Sequence, residues 1–154
     1  MKKIAIVIFA FICLPFLASA QEEDWNGNAD NVLGDYMIIY PGNNSKVRFT
    51  KNAAGTYDCR IIWLQKAVDP VTGEPYYDVK NPDRSLRGVR SDNVVIISGL
   101  KYDPVKKSWG GAKIYDPTRG IKANVTGSFV AKDSFQIRGS VLGIGETVTW
   151  KKLK

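Results

Sequence analysis

Hydrophobic and polar positions alternate with a period of two along most of the chain, the signature of strands that bury one face and wet the other. The cleanest case is Ile121 to Phe129, where Ile121, Ala123, Val125, Gly127 and Phe129 oppose Lys122, Asn124, Thr126 and Ser128. Lys46 to Thr50 sets Val47 and Phe49 against Lys46, Arg48 and Thr50. Around Cys59, in a run ending near Leu64, Tyr57, Cys59, Ile61 and Trp63 share one predicted face. Val32–Tyr40, Ser108–Tyr115, Ser134–Gly139 and Thr147–Lys152 are also β-rich, and Val94–Ser98 is apolar on both faces. These runs predict eight strands and no amphipathic helix.

The punctuation between them fits short hairpins. Asp69-Pro70-Val71-Thr72-Gly73 and Asp116-Pro117-Thr118-Arg119-Gly120 share the form Asp-Pro-x-x-Gly, in which Asp caps the turn, Pro fixes φ and Gly supplies positive φ at the exit. Tyr102-Asp103-Pro104 begins a third without the glycine, and Gly143 with Gly145 predicts another hairpin turn. Turn chemistry accounts for these aspartates, which lack the spacing of a calcium loop. Gly110-Gly111 inside a strand pattern predicts a bulge or a close backbone approach.

One stretch breaks the alternation. Ala67 to Asn93 carries Pro, Gly, Asn and Asp punctuation, paired tyrosines, and Arg84, Arg87 and Arg90 at a spacing of three. Its length and aromatic content predict an ordered flap lying against the fold rather than a linker. In one turn of helix the three arginines would share a face and grip a carboxylate or phosphate; the structural alternative pairs Arg87 with Asp83 or Asp92.

Eight short antiparallel strands must hide their edges. An all-β, eight-stranded up-and-down β-barrel does so, and its interior holds either packed side chains or one small ligand. A two-sheet sandwich is the alternative, but the even spacing of strands and turns favours the barrel, with the flap between strands 3 and 4.

Composition then narrows compartment and chemistry. Lys2 and Lys3 precede the apolar run Ile4–Leu17, which ends in Ala18-Ser19-Ala20, so residues 1–20 read as a secretory signal peptide and 21–154 as a single β-barrel domain, exported to the periplasm or beyond. The apolar run is short for a bilayer span, and no second one follows. Removing Lys2 and Lys3 from 22 basic residues leaves 20 against 15 acidic ones, a net charge of +5. That favours anionic partners mildly, yet no basic stripe marks a nucleic-acid surface. With Cys13 in the leader, Cys59 is left without an intramolecular partner, and a buried thiol packing as a small hydrophobe is expected.

The sequence contains no histidine, which excludes a Ser-His-Asp triad, a His-ligated zinc and a Cys-His pair. No phosphate-binding loop, dinucleotide fingerprint or nucleophile elbow is present. No catalytic residue, metal ligand or cofactor is therefore assigned, although loop carboxylates leave hydrolysis open.

Three motifs carry a resemblance. Asn81-Pro82-Asp83 with Leu86-Arg87 and Arg90, Trp109-Gly110-Gly111-Ala112-Lys113-Ile114-Tyr115-Asp116-Pro117 with Gly120, and Arg138-Gly139 with Gly145-Glu146-Thr147-Val148-Thr149-Trp150 are similar to the bacterial exported family called domain of unknown function 2147. Gly34-Asp35-Tyr36 stands where such proteins often carry Gly-x-Trp, and Cys59 stands where a small residue is usual. The resemblance implies a lipocalin-like barrel and no particular activity.

Two readings of function follow. In the first, the barrel holds a small amphipathic or anionic ligand (lipid, sugar or other amphipathic anion) under the flap. Trp63, Trp109 and Tyr115 supply apolar walls, Tyr77 lies beside them, and Arg87 or Arg90 orients the polar end. In the second, the aromatics plug a filled barrel, and the flap meets a protein partner of the cell envelope.

Overall fold

The computed structural model describes residues 23–154; the expected leader, Cys13 and the expected mature start at Gln21 lie outside the described residues. Eight antiparallel strands, β1 (Gly34–Ile38), β2 (Ser45–Lys51), β3 (Tyr57–Leu64), β4 (Val95–Asp103), β5 (Ser108–Asp116), β6 (Ile121–Ala131), β7 (Ser134–Val141) and β8 (Ile144–Lys152), follow one another round a closed barrel. The up-and-down barrel is the one expected from the even spacing of strands and turns. Inward positions form a single core that includes Tyr36, Val47, Phe49, Cys59, Ile97, Leu100, Trp109, Phe135 and Ile137, all at most 2 % exposed.

One end of the barrel is plugged by the chain that leads into β1. A single 3-10 turn, Ala29–Val32, is capped by the Asn28 side chain, which accepts from Asp30 N, and buries Val32 completely. Barrel aromatics reach this plug with their polar tips: the Trp109 Nε1 donates to Ala29 O at 3.1 Å, the Tyr36 hydroxyl to Val32 O at 2.8 Å and the Tyr57 hydroxyl to Asp30 Oδ1 at 2.5 Å. The Tyr102 hydroxyl donates to the Asn26 carbonyl, and the Asn26 amide pairs with the Phe129 backbone in both directions. Each ring thus buries its apolar body while its donor is satisfied. Phe135 sits at the centre, 4.9 to 6.0 Å from the rings of Tyr36, Phe49, Trp109 and Phe129. Gly127 makes room for it, since a Cβ there would lie 2.6 Å from the Phe135 ring.

Bulges set the remaining directions. The β5–β6 register shifts between Trp109 and Ala112, with Gly111 at φ +68°, so the glycine pair does mark a bulge. A second bulge corrects the sequence reading of β3. Ile61 pairs with Val47 and Trp63 with Lys46, leaving Ile62 as the extra residue. Trp63 therefore leaves the face of Tyr57, Cys59 and Ile61, is 41 % exposed, and lies 5.4 Å from the Lys46 ammonium. The Asp-Pro turns form as expected: Asp69, Asp103 and Asp116 each accept from two backbone amides of their own turn.

The flap occupies the connection between β3 and β4, pinched by the bridges Val68↔Pro75 and Tyr77↔Arg90. It contains two separate 3-10 turns, Arg84–Leu86 and Ser91–Asn93, rather than one helix, so the three arginines do not share a helical face. Arg87 donates from Nε to Asn81 O at 2.8 Å, and Arg90, not Arg87, pairs with Asp92.

Candidate functional site at the barrel mouth

The six residues singled out from the sequence do not meet in one place. Trp109 is fully buried at the plugged end, and Trp63 lies on the outer wall. Tyr77 and Arg90 face each other across a flap bridge, both exposed. Tyr115 and Arg87 belong to the seam between flap and wall. Tyr115 pairs with exposed Lys122, while its neighbour Ile114 pairs with Ala123 on the inner face, so Tyr115 points outward. It is nonetheless only 6 % exposed, because the flap covers it.

That seam is a polar latch. The Tyr115 hydroxyl donates to Asp78 Oδ1 at 2.7 Å, and Asn81 Nδ2 donates to Asp78 Oδ2 at 2.7 Å. Asp78 and Asn81 are both buried, and Arg87 holds the Asn81 carbonyl. Burial and the neighbouring Asp78 carboxylate both push the Tyr115 hydroxyl well above its ordinary pKa, so it remains a donor. Lys80 extends the latch by donating to Thr118 O at 2.7 Å. The motifs around Asn81 and Tyr115 thus clamp the flap to β5.

The opposite end of the barrel from the plug is built differently. β1 pairs with β8 only at Tyr36↔Lys152 and Met37↔Lys151, so β8 runs on from Trp150 back to Ile144 without a β1 partner. Val148 pairs with Ile137, whose side chain is 1 % exposed in the core. Cross-strand partners share a face, so Val148 also points inward, yet it is 47 % exposed. The same argument turns Ile121 inward through its alternation with Ala123 and Val125, and Val141 through Ile137 and Gly139; they are 45 % and 49 % exposed. Half-buried Ile114, Ala123 and Gly139 lie deeper, where a Cβ on Gly139 would sit 3.4 Å from Ile114 Cγ2. By the same rule Ile144, opposite Val141, and Glu146, opposite Gly139, also face inward, so the mouth above the filled lower barrel is apolar except for the Glu146 carboxylate.

Charge enters at the rim. Arg119 donates from Nε to Asp116 Oδ2 at 2.6 Å, and the hydrogen bond and charge of that carboxylate raise its pKa further. Sequence reasoning did not single out Ile121, Val141, Val148 or Arg119. The inward phase of Val148 was readable from Trp150, two residues on, but its exposure depends on the β1 partner it lacks.

Two hollows, of about 420 and 280 Å³, run along the outer wall. The first lies between Lys101, Lys106, Gly111 and Thr126, the second between Thr126, Gln136, Arg138 and Thr147. Both are grooves between outward-facing strand residues, and neither holds a buried charge to orient a ligand.

An eight-stranded closed meander with one plugged and one open end is a lipocalin-like barrel. The solved structure of protein HP1028 from Helicobacter pylori, described as belonging to the lipocalin family, superposes with a TM-score of 0.62 at 27% sequence identity, over 80% of this chain and 83% of that one. Residues 34–152 match the family described as "Uncharacterized protein conserved in bacteria (DUF2147)", and the chain belongs to that family. No curated protein matches it. Among the described residues no helix is long and apolar enough to cross a membrane.

Proposed function

We propose that the chain is an exported, non-catalytic carrier or sensor that holds a small amphipathic anion in the barrel mouth. The apolar part of the ligand lies against Ile121, Val141 and Val148, and its anionic end meets Arg119 at the rim. The observation that carries this reading is Val148: it shares a face with a fully buried core residue and remains 47 % exposed. Apolar side chains aimed into a barrel are normally covered by neighbours, and here the lower barrel is covered while the mouth is not. Arg119 fits a carboxylate or phosphate because its planar fork presents several donors and stays charged. The lipocalin-like fold supports small-ligand binding in general, and the leader-like residues 1–20 support export to the periplasm or the exterior.

Titration with a fluorescent long-chain fatty acid tests the assignment. Covering one valine-sized contact is worth about 1.5 kcal/mol, so Val148→Glu should weaken uptake by roughly tenfold or more. Trp63→Ala, on the outer wall, should leave uptake unchanged. Equal affinity for Val148→Glu and the parent protein, with circular dichroism unchanged in both, would refute the mouth as the site.

A further inference from the structure

The β5–β6 turn that carries Arg119 is held from two sides. From within, Asp116 closes it: the carboxylate accepts from Thr118 N at 2.8 Å, and Gly120 N donates to Asp116 O at 2.8 Å. From outside, the flap grips the same turn through one residue. Lys80 Nζ donates at 2.7 Å to Thr118 O, the carbonyl of the peptide bond that joins Thr118 to Arg119. The Lys80 carbonyl packs so closely on Gly120 that a Cβ there would lie 2.5 Å from it. Lys80 thus brackets Arg119, touching the residue before it and the residue after it. Two residues back along the flap, Asp78 takes the Tyr115 hydroxyl, one position ahead of the turn. None of these bonds reaches the guanidinium. Its Nε is held by Asp116, and among the described residues its two terminal nitrogens have no partner, which leaves them to a ligand.

Holding an anion asks for an exposed cation, but not for a flap fastened behind it. We propose that Lys80 is a positioning residue for Arg119, so that flap closure and anion binding in the mouth favour one another. The inference rests on the mouth as the ligand site. With the flap seated, the Thr118–Arg119 peptide has a fixed donor on its outer side, and the turn is pre-organised. With the flap lifted, the turn loses that donor and the Gly120 contact together, and an anion must then order it. A ligand that prefers the seated form holds the flap down, by linkage, by the same factor. The flap's own fastening leaves room for such a shift. Asp78 is 3 % exposed, and the bonds it accepts come from the neutral Tyr115 hydroxyl and Asn81 amide. No described cation pairs with it. Arg87 is engaged on the Asn81 carbonyl and Arg90 on Asp92. A buried carboxylate without an ion pair recovers little of its lost hydration, so the latch is not a strong lock.

Two probes of equal chain length, decanoate and decanol, separate this role from damage to the mouth. Their binding is read by displacement of the fluorescent fatty acid, with circular dichroism to verify the fold of each variant. Lys80→Met removes the clamp, and Tyr115→Phe loosens the flap without altering charge. In both, decanoate should bind about fivefold or more weakly, the size of a typical coupling, while decanol binds as in the parent. Lys80→Arg, which can still donate to Thr118 O, should recover most of the loss. In the parent protein, where no variant has to fold, decanoate but not decanol should slow proteolysis within residues 67–93. Equal losses for both probes would mean that the variants merely damage the mouth, and would overturn the proposal. A loss in Lys80→Met with none in Tyr115→Phe would also overturn it, making Lys80 a charge within reach of the ligand rather than a support for Arg119. Decanoate binding that leaves the flap cut at its usual rate overturns the coupling while the mouth reading stands. A parent protein that takes up neither probe ends both.

Discussion

Trp109 is the residue whose role changes most between sequence and structure. Its place at a strand end, beside a glycine pair, suits a wall residue of a ligand site equally well. Only the fold shows its ring fully buried against Phe129 and Phe135, with its nitrogen spent on the plug at Ala29. Trp109→Ala should therefore cost about 3–5 kcal/mol in urea denaturation, the range for emptying a buried aromatic site. A folded variant of parental stability that has merely lost ligand would contradict the plug. Cys59 behaves as the sequence suggests: it is free, buried, and burial pushes its thiol well above its usual pKa. Asp35 gives a prediction with a sign. Its bidentate bond from Arg48 lowers its pKa from 3.8 in the folded state. A depressed folded pKa means the contribution is complete above the unfolded value and is lost as pH falls through the folded one. Asp35→Asn should accordingly narrow the stability gap between pH 6 and pH 2 (values on the scale set by ordinary carboxylates), and an unchanged pH profile would remove this pair from the acid response.

At the level of elements, alternation was enough to place the strands, because each buries one face and wets the other. The ends were less legible: β4 continues to Asp103 and β8 begins at Ile144, beyond the runs that alternation marked. The flap was legible from its turn residues and aromatics, whereas its partner was not. Nothing in a strand-like Ile114-Tyr115-Asp116 says that Tyr115 faces outward under Asp78, since that follows from the bulge at Gly111 upstream. The bulge at Ile62 left no mark at all, being made by neither Gly nor Pro, and it reversed Trp63. The latch yields its own test. Tyr115→Phe removes one of the donors to buried Asp78, an unsatisfied-acceptor cost of about 1–3 kcal/mol. Limited proteolysis should then cut faster within residues 67–93, while cleavage elsewhere is unchanged. Uniform acceleration would mean that the latch supports the whole barrel rather than the flap.

Across the whole molecule, closure solves the edge problem at one end and leaves it open at the other. The plug, Phe135 and its ring neighbours fill the lower barrel, and Lys152 locks the seam there by donating to Asn31 O at 2.5 Å while lying over the Tyr36 and Phe129 rings. Above Met37↔Lys151 the seam parts, the inner wall thins to Ala123 and Gly139, and Ile121, Val141 and Val148 meet solvent. A filled floor beneath an open apolar mouth, with Arg119 at its rim, is the arrangement on which the proposed function rests. Nuclear Overhauser contacts between dodecanoate and the methyl groups of the labelled protein test it most directly. The account predicts contacts from the acyl chain to Ile121, Val141 and Val148. Contacts confined to the outer wall or the flap, or none at saturating dodecanoate, would contradict it.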